Sequence, residues 1–429
     1  MAIGQVSFIR EDGNLQSPAI GQDHISGLLF DLPEGVQMPS GIKLGDVVQI
    51  FSPTDAVNLG ITEFSATNEE TNFFYGIPYF HISEYFRLKK NGSLYIMFAN
   101  CSENWQEIKT IQAVAQGNIR QLGIWTYKNL WTAKDSTLDA YTLNLIADIN
   151  TVAEEIADDH RPFSVLLTAN TASADPTKTD KTINLTRIPS CINKWNRVTA
   201  LLGQGSSDKL LKMRLAYEGY PVIGCVGTIL GAVAAANVHE SIAWVGQFDL
   251  YNTDYANVEL GFGNMALNES GDGFVSTLSF ESLSLTQLNE LDEKGYVFPI
   301  KYSGKSNGTY FSKDRTCSNG DYRTIARNRT IDKSRRAVRN ALLPYLNAPV
   351  MINPTTGYIQ EVEAKKYQNV VDGVLSTMEG NGEISGYSVY VDTKQNVLET
   401  DLIKITYSLV PVGTSTSIEV TEGLSLSNS

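Results

Sequence analysis

A chain of 429 residues with 42% hydrophobic and 19% charged residues is globular and long enough for two or three domains, because single cores stop growing near roughly 250 to 300 residues. Its formal charge of −13 excludes a general nucleic-acid binder, which needs net positive surface to release counterions from phosphate. The charge is uneven: Lys301 to Asn340 holds 11 Lys or Arg against 3 Asp, a net of +8 that leaves −21 for the remainder. A chain so divided can attract acidic surfaces, those of its own copies included.

In chain order, Ile3 to Ile9 (IGQVSFI) is a short apolar-alternating strand that Glu11-Asp12-Gly13 cuts off, so residues 1–20 read as an N-terminal arm carrying Ile3, Val6 and Phe8. Residues 21–300 alternate strand-like and helix-like runs. Strands are expected at Ser26 to Phe30, Asp46 to Phe51, Leu94 to Ala99, Ile119 to Thr126, Phe163 to Leu167, Asn196 to Leu202, Trp244 to Leu250 and Val275 to Phe280. Helices are expected at Asn104 to Gln116, Thr137 to Ala157, Ser207 to Tyr217 and Leu285 to Glu293, the last capped by Ser284. In the long helix Leu138, Tyr141, Leu145, Ile149, Val152 and Ile156 form one apolar stripe. This rhythm implies an α/β layer with some parallel pairing. Pro221 to Val238 is apolar but under 20 residues, rich in Gly and Ala, and followed by His239-Glu240, which predicts a close-packed core helix without membrane insertion.

At Lys301 the composition turns to Gly, Ser, Asn and charge, which places a domain boundary near residue 300. The domain that follows, 301–411, is expected to hold a helix from Thr330 to Leu346, a break at Pro349 and Pro354, a helix from Ile359 to Met378, and strands Ile384 to Val391 and Leu402 to Val410. On its first helix Ile331, Val338, Ala341, Leu342 and Tyr345 share one side, and Arg329, Lys333, Arg336 and Arg339 the other. Such a basic band, in an otherwise acidic chain, predicts an electrostatic protein contact. Residues 412–429 form a C-terminal linker and arm: Pro411, Gly413 and the Thr/Ser run break the strand, and Ile418 to Thr421 alternates once more. The fold class is therefore α/β (α+β) and multi-domain, a central α/β layer plus a C-terminal helix-and-sheet domain with extended N- and C-terminal arms. Terminal strands on leashes are what β-augmentation requires, so the arms predict a homo-oligomer.

The chemistry of catalysis is sparse. His24, His81, His160 and His239 lack metal-ligand spacing, and Cys101, Cys191, Cys225 and Cys317 contain no CxxC, which predicts reduced structural thiols in a cytoplasmic product without an export signal. Gly203-x-Gly205 follows a strand and precedes a helix, yet position 208 is Asp and no GKS or GKT closes a Walker sequence. No GxSxG is present. The expectation is no enzyme, no catalytic, cofactor or metal residue, and no cofactor. The alternatives are a soluble α/β enzyme binding a nucleotide at the Gly203 loop, or another self-assembling tail or shell component.

Asn328 to Asn347 (NRTIDKSRRAVRNALLPYLN), Ile403 to Val420 (IKITYSLVPVGTSTSIEV) and Gly227 to Val238 (GTILGAVAAANV) resemble the contractile tail sheath family of bacteriophages and pyocin-like injection systems. The resemblance implies a helical sheath of identical subunits around an inner tail tube, contracting without ATP and ending at baseplate and terminator proteins. It implies inter-subunit arms at Ile3, Val6, Phe8, Ile418, Val420 and Leu424, and a hinge at Gly413, Thr414 and Ser415. It further implies that Arg329, Lys333, Arg336 and Arg339 face the tube or a neighbour, in a phage tail or contractile particle assembled in the bacterial cytoplasm.

Overall fold

The computed structural model describes residues 22–65, 76–128, 141–168, 188–216, 223–259, 283–305 and 308–424. It also describes the short strand pairs Ala133–Lys134 with Thr137–Leu138 and Ala266–Leu267 with Phe274–Val275. The N-terminal arm with Ile3, Val6 and Phe8, and most of the strand expected at Val275 to Phe280, lie outside the described residues.

The first part of the chain runs through β1 (Ile25–Asp31), β2 (Val47–Ile50), α1 (Pro53–Asn58), α2 (Ile77–Leu88), β3 (Ser93–Ala99), α3 (Glu107–Val114), β4 (Gln121–Thr126), α4 (Tyr141–Asp158) and β5 (Ser164–Thr168). It continues with β6 (Val198–Leu201), α5 (Asp208–Leu215), α6 (Val226–Ala235), α7 (Leu285–Glu293) and β7 (Tyr296–Val297). One sheet takes the order β7-β6-β5-β4-β1-β3-β2, parallel throughout except where β2 runs against β3. Strands covered on both faces must read as continuous apolar runs, and β4, β5 and β6 are buried at every position.

Successive residues of β1 supply opposite cores. Leu28 and Phe30 face α2 and α6, joined by Ile96, Phe98, Trp125 and Leu166. Leu29 faces the other way with Leu122, Ile124, Val165 and Leu167, where Ile108 and Ile111 of α3 and Ile149, Val152 and Ile156 of α4 cover the sheet. The apolar stripe expected on α4 is thus its buried face, although the helix begins at Tyr141 and Leu138 sits in a strand pair. The cap expected at Ser284 is present and forms a capping box with Gln287, whose backbone N donates to the Ser284 hydroxyl.

One expectation for this body fails, and one helix goes unexpected. Trp244 to Leu250 forms turns, with Phe248 N donating to Trp244 O, and Leu250 N reaches Thr309 O; local bonds satisfy the backbone, so no ladder forms. Helix α2 was not foreseen, because eight of its 12 residues are buried and no polar stripe marks it.

The last part holds α8 (Ile325–Leu342), α9 (Glu361–Gly380), β8 (Ile384–Val391) and β9 (Ile405–Pro411). Helix α8 starts a turn earlier than expected because Thr324 caps it, accepting from Arg327 N at 3.1 Å. Strand β9 starts later, since Val397–Thr400 forms one helical turn that Asp401 closes at φ +52°. Ile325 at the head of α8 belongs to the large core, whereas Val338 belongs to a small core with Val371, Leu375, Met378 and Ile384. Residues 308–318 pack on the large body, where Tyr310–Phe311 pairs with Pro299–Ile300 and Cys317–Ser318 with Lys194–Trp195. Packing therefore divides within α8.

Candidate assembly surface

Strands β8 and β9 pair antiparallel through Tyr387↔Leu409, Ser388↔Ser408, Val389↔Tyr407, Tyr390↔Thr406 and Val391↔Ile405. Two strands alone are marginal in water, and a helical layer supports these. Tyr387, Val389, Ile405, Tyr407 and Leu409 point at α8 and α9, and α9 answers with Tyr367, Val371, Leu375 and Met378 at three- and four-residue spacing. The outer face carries Ser388 and Ser408, their hydroxyls 2.8 Å apart, with Tyr390 and Val410 exposed. This sheet has two strands, so among the described residues each keeps one edge without a ladder partner.

Residues 412–424 leave β9 without forming a strand. Gly413, Thr414 and Ser415 are exposed, as are Ile418 (83%), Val420 (79%) and Leu424 (108%). Apolar side chains that stand this far into solvent contribute nothing to the fold of their own chain.

The basic side of α8 lies differently from the outward band expected of it. Arg329 is buried and donates to the carbonyls of Ala236, Asn237 and Asp23. Lys333 Nζ lies 2.8 Å from Asp23 and 2.5 Å from Glu383, and Arg336 Nη2 lies 3.1 Å from Asp23. Carboxylates distant in sequence hold Lys333 and Arg336 inside the subunit and backbone carbonyls hold Arg329, while Arg339 is exposed. Burial pushes the Asp23 carboxyl up, but the hydrogen bond and charge of Lys333, then Arg336 and Arg329, outweigh it and hold it below the ordinary 3.8. Burial lowers Arg329 to about 10, against the pull of Asp23 and Asp314. Deeper along the same helix Asp332 accepts from Arg197 Nη1 at 2.6 Å, docking α8 onto the start of β6. No sequence signal marks Asp23 or Arg197 for these roles, since their partners are more than 100 residues away.

The Gly203 loop is closed. Gln204 is buried, accepts from the amides of Ile223 and Gly224 and donates to Glu259, and Gly205 pairs with Val258. A Cβ at Gly205 would come within 3.0 Å of the Asp254 carbonyl carbon, so backbone occupies the space a phosphate would need. Among the described residues no group of three His, Cys, Asp or Glu could hold a metal ion, and no helix is long and apolar enough to cross a membrane.

The architecture defines a multi-domain α/β protein whose small helix-backed sheet and tail are left open to solvent. The chain belongs to the DUF2586 family: the model described as DUF2586, N-terminal domain, matches residues 3–315, and DUF2586, C-terminal domain, matches residues 321–429. No curated protein matches it. Its fold is shared with a chain of the anti-feeding prophage helical sheath in the contracted state, at 14% identity and a TM-score of 0.55, over 99% of both chains. A chain of the 6-fold symmetrised anti-feeding prophage baseplate is as similar, at 15% identity and a TM-score of 0.55, over 99% of this chain and 100% of that one. The likeness expected from Gly227 to Val238, Asn328 to Asn347 and Ile403 to Val420 is thus a likeness of fold that extends along the whole chain.

Proposed function

We propose that this protein is the sheath subunit of a contractile injection particle, a structural and non-catalytic role. The observation that carries the proposal is the pairing of a full-length sheath-like fold with a solvated tail, Ile418 to Leu424, next to a sheet whose outer edges have no ladder partner among the described residues. In this reading the tail of one subunit adds a strand to β8 or β9 of the next, main-chain bonds give the link its strength, and alternate apolar side chains set its register. The N-terminal arm, with Ile3, Val6 and Phe8, serves the same purpose on another neighbour. Gly413, Thr414 and Ser415 form the hinge that lets linked subunits change angle during contraction.

In this reading residues 1–20 form one arm, 21–300 the outer body, 301–411 the lattice core, whose leading residues 308–318 pack on the outer body, and 412–429 the other arm. The inner tube, baseplate and terminator are the partners, and the particle assembles in the bacterial cytoplasm. Arg339, exposed on α8, is the residue of the basic set available to a tube or a neighbour. Because contraction releases energy stored in a lattice, the role needs no nucleotide site.

Negative-stain microscopy and sedimentation of the full chain and of a chain ending at Pro411 test the proposal. Helical tubes from the first and monomers from the second are expected. Tubes of equal length from both would remove the tail from the mechanism. The likeness to a baseplate chain favours one variant of the reading, in which the protein forms a single ring; six-fold rings without tubes would select it.

A further inference from the structure

We propose that Asp23 is a clamp that ties the root of the N-terminal arm to the C-terminal sheet through helix α8. Residues 22–24 are the last before β1, and side chains from three elements hold them. Asp23 takes Lys333 and Arg336 on its carboxylate and Arg329 and Gln121 on its carbonyl, the last two at 3.2 Å. Gln22 Oε1 accepts from Arg120 Nη2 at 3.2 Å, and His24 O accepts from Tyr85 OH at 3.1 Å.

Lys333 makes the connection. Its ammonium lies between Asp23 and Glu383, and Glu383 is the residue that leads into β8. One cation thus bridges the two ends of the folded chain, 310 residues from one carboxylate and 50 from the other. All three side chains are largely withdrawn from water, at 21%, 26% and 12% exposure, so solvent screens the bridge less than it would a surface pair.

The geometry gives the clamp a mechanical direction. Load arriving along the arm meets the junction before it meets β1, which lies between β3 and β4. It passes to α8 and to the start of β8 instead of peeling β1 from the sheet. The inference rests on the sheath reading only for the source of that load.

The test is amide hydrogen exchange on the full chain in isolation. Asp23→Asn and Lys333→Met are each expected to speed exchange in both β1 and β8, on the order of ten-fold, while Arg339→Ala leaves both strands as in the unaltered protein. Acceleration in one strand alone, or in neither, overturns the coupling. If Asp23→Asn does not fold, Lys333→Met decides by the same two strands. A chain that forms no tubes, yet loosens at both strands, keeps the clamp and discards the sheath.

Discussion

Gly227 N donates to His81 Nδ1 at 3.2 Å, and the same imidazole gives its Nε2 proton to the Ile223 carbonyl at 2.9 Å. The ring thereby caps the first turn of α6 from within α2, and the tautomer is set by the two partners. The helices approach this closely because Gly227 and Gly231, one turn apart, have no side chain. A Cβ at Gly227 would lie 2.5 Å from His81 Cα and closer still to its carbonyl oxygen. Backbone cannot swing aside, so Gly227→Ala should cost about 3 kcal/mol, read from the urea midpoint at constant slope. A midpoint equal to the parent's would refute this packing.

His81 also makes stability depend on acid. Burial, opposed only by the Ile223 carbonyl, lowers its pKa from 6.5 to about 3. The folded state then binds fewer protons than the unfolded one, so the contribution is complete above 6.5 and is lost as pH falls toward 3. His81→Gln keeps a donor and an acceptor but no titration. Its melting temperature should fall less than the parent's between about pH 6.5 and 4.5; equal falls would mean that the buried ring does not govern the acid limb.

Asp314 acts with the opposite sign. Burial raises its carboxyl from 3.8 to about 7, against the amides of Ala326 and Ile325 at the head of α8 and the charge of Arg329. The folded protein holds a proton that the unfolded chain releases, so this stability is full below 3.8 and declines as pH rises through 7. Asp314→Asn should remove that decline and match or exceed the parent's melting temperature at about pH 8. A variant that melts lower there would show that the ionised carboxylate is needed as a cap.

Arg197 and Asp332 test how α8 is docked. Both are almost fully buried, at 5% and 3% side-chain exposure. Removing one partner leaves a buried charge, so Arg197→Met should cost about 3–5 kcal/mol, whereas the double replacement Arg197→Met with Asp332→Leu should recover most of it. Additive losses in the cycle would mean that the two residues act separately.

The tail separates folding from assembly. Ile418→Asp with Val420→Asp changes only exposed positions, so the unfolding free energy should stay within about 0.5 kcal/mol of the parent's. Tube formation should nevertheless be abolished, as scored by microscopy. A large loss of stability would show that the segment folds onto its own subunit.

Much of the α/β body was legible because its signals are local. Continuous apolar runs such as Leu94 to Ala99, the stripe Leu145-Ile149-Val152-Ile156 and the cap at Ser284 report strand, helix and helix start without reference to distant residues. The same holds for the order helix, helix, strand, strand at the C-terminus. Helix α2 escaped because burial on nearly all sides erases the periodicity that reveals a helix. Trp244 to Leu250 misled because alternation over seven residues fits turns as well as a strand.

Composition and periodicity by themselves determined the class, the main helices and strands, and a C-terminal segment with apolar residues it does not bury. The tertiary structure alone decided the strand order, the closed Gly203 loop and the direction of the basic residues on α8. Arg329, Lys333 and Arg336 look like a surface band in one dimension, since helical geometry places them on a common polar side. Whether such a side meets water or carboxylates depends on what the fold brings to it, and Asp23, more than 300 residues earlier, enters no local pattern.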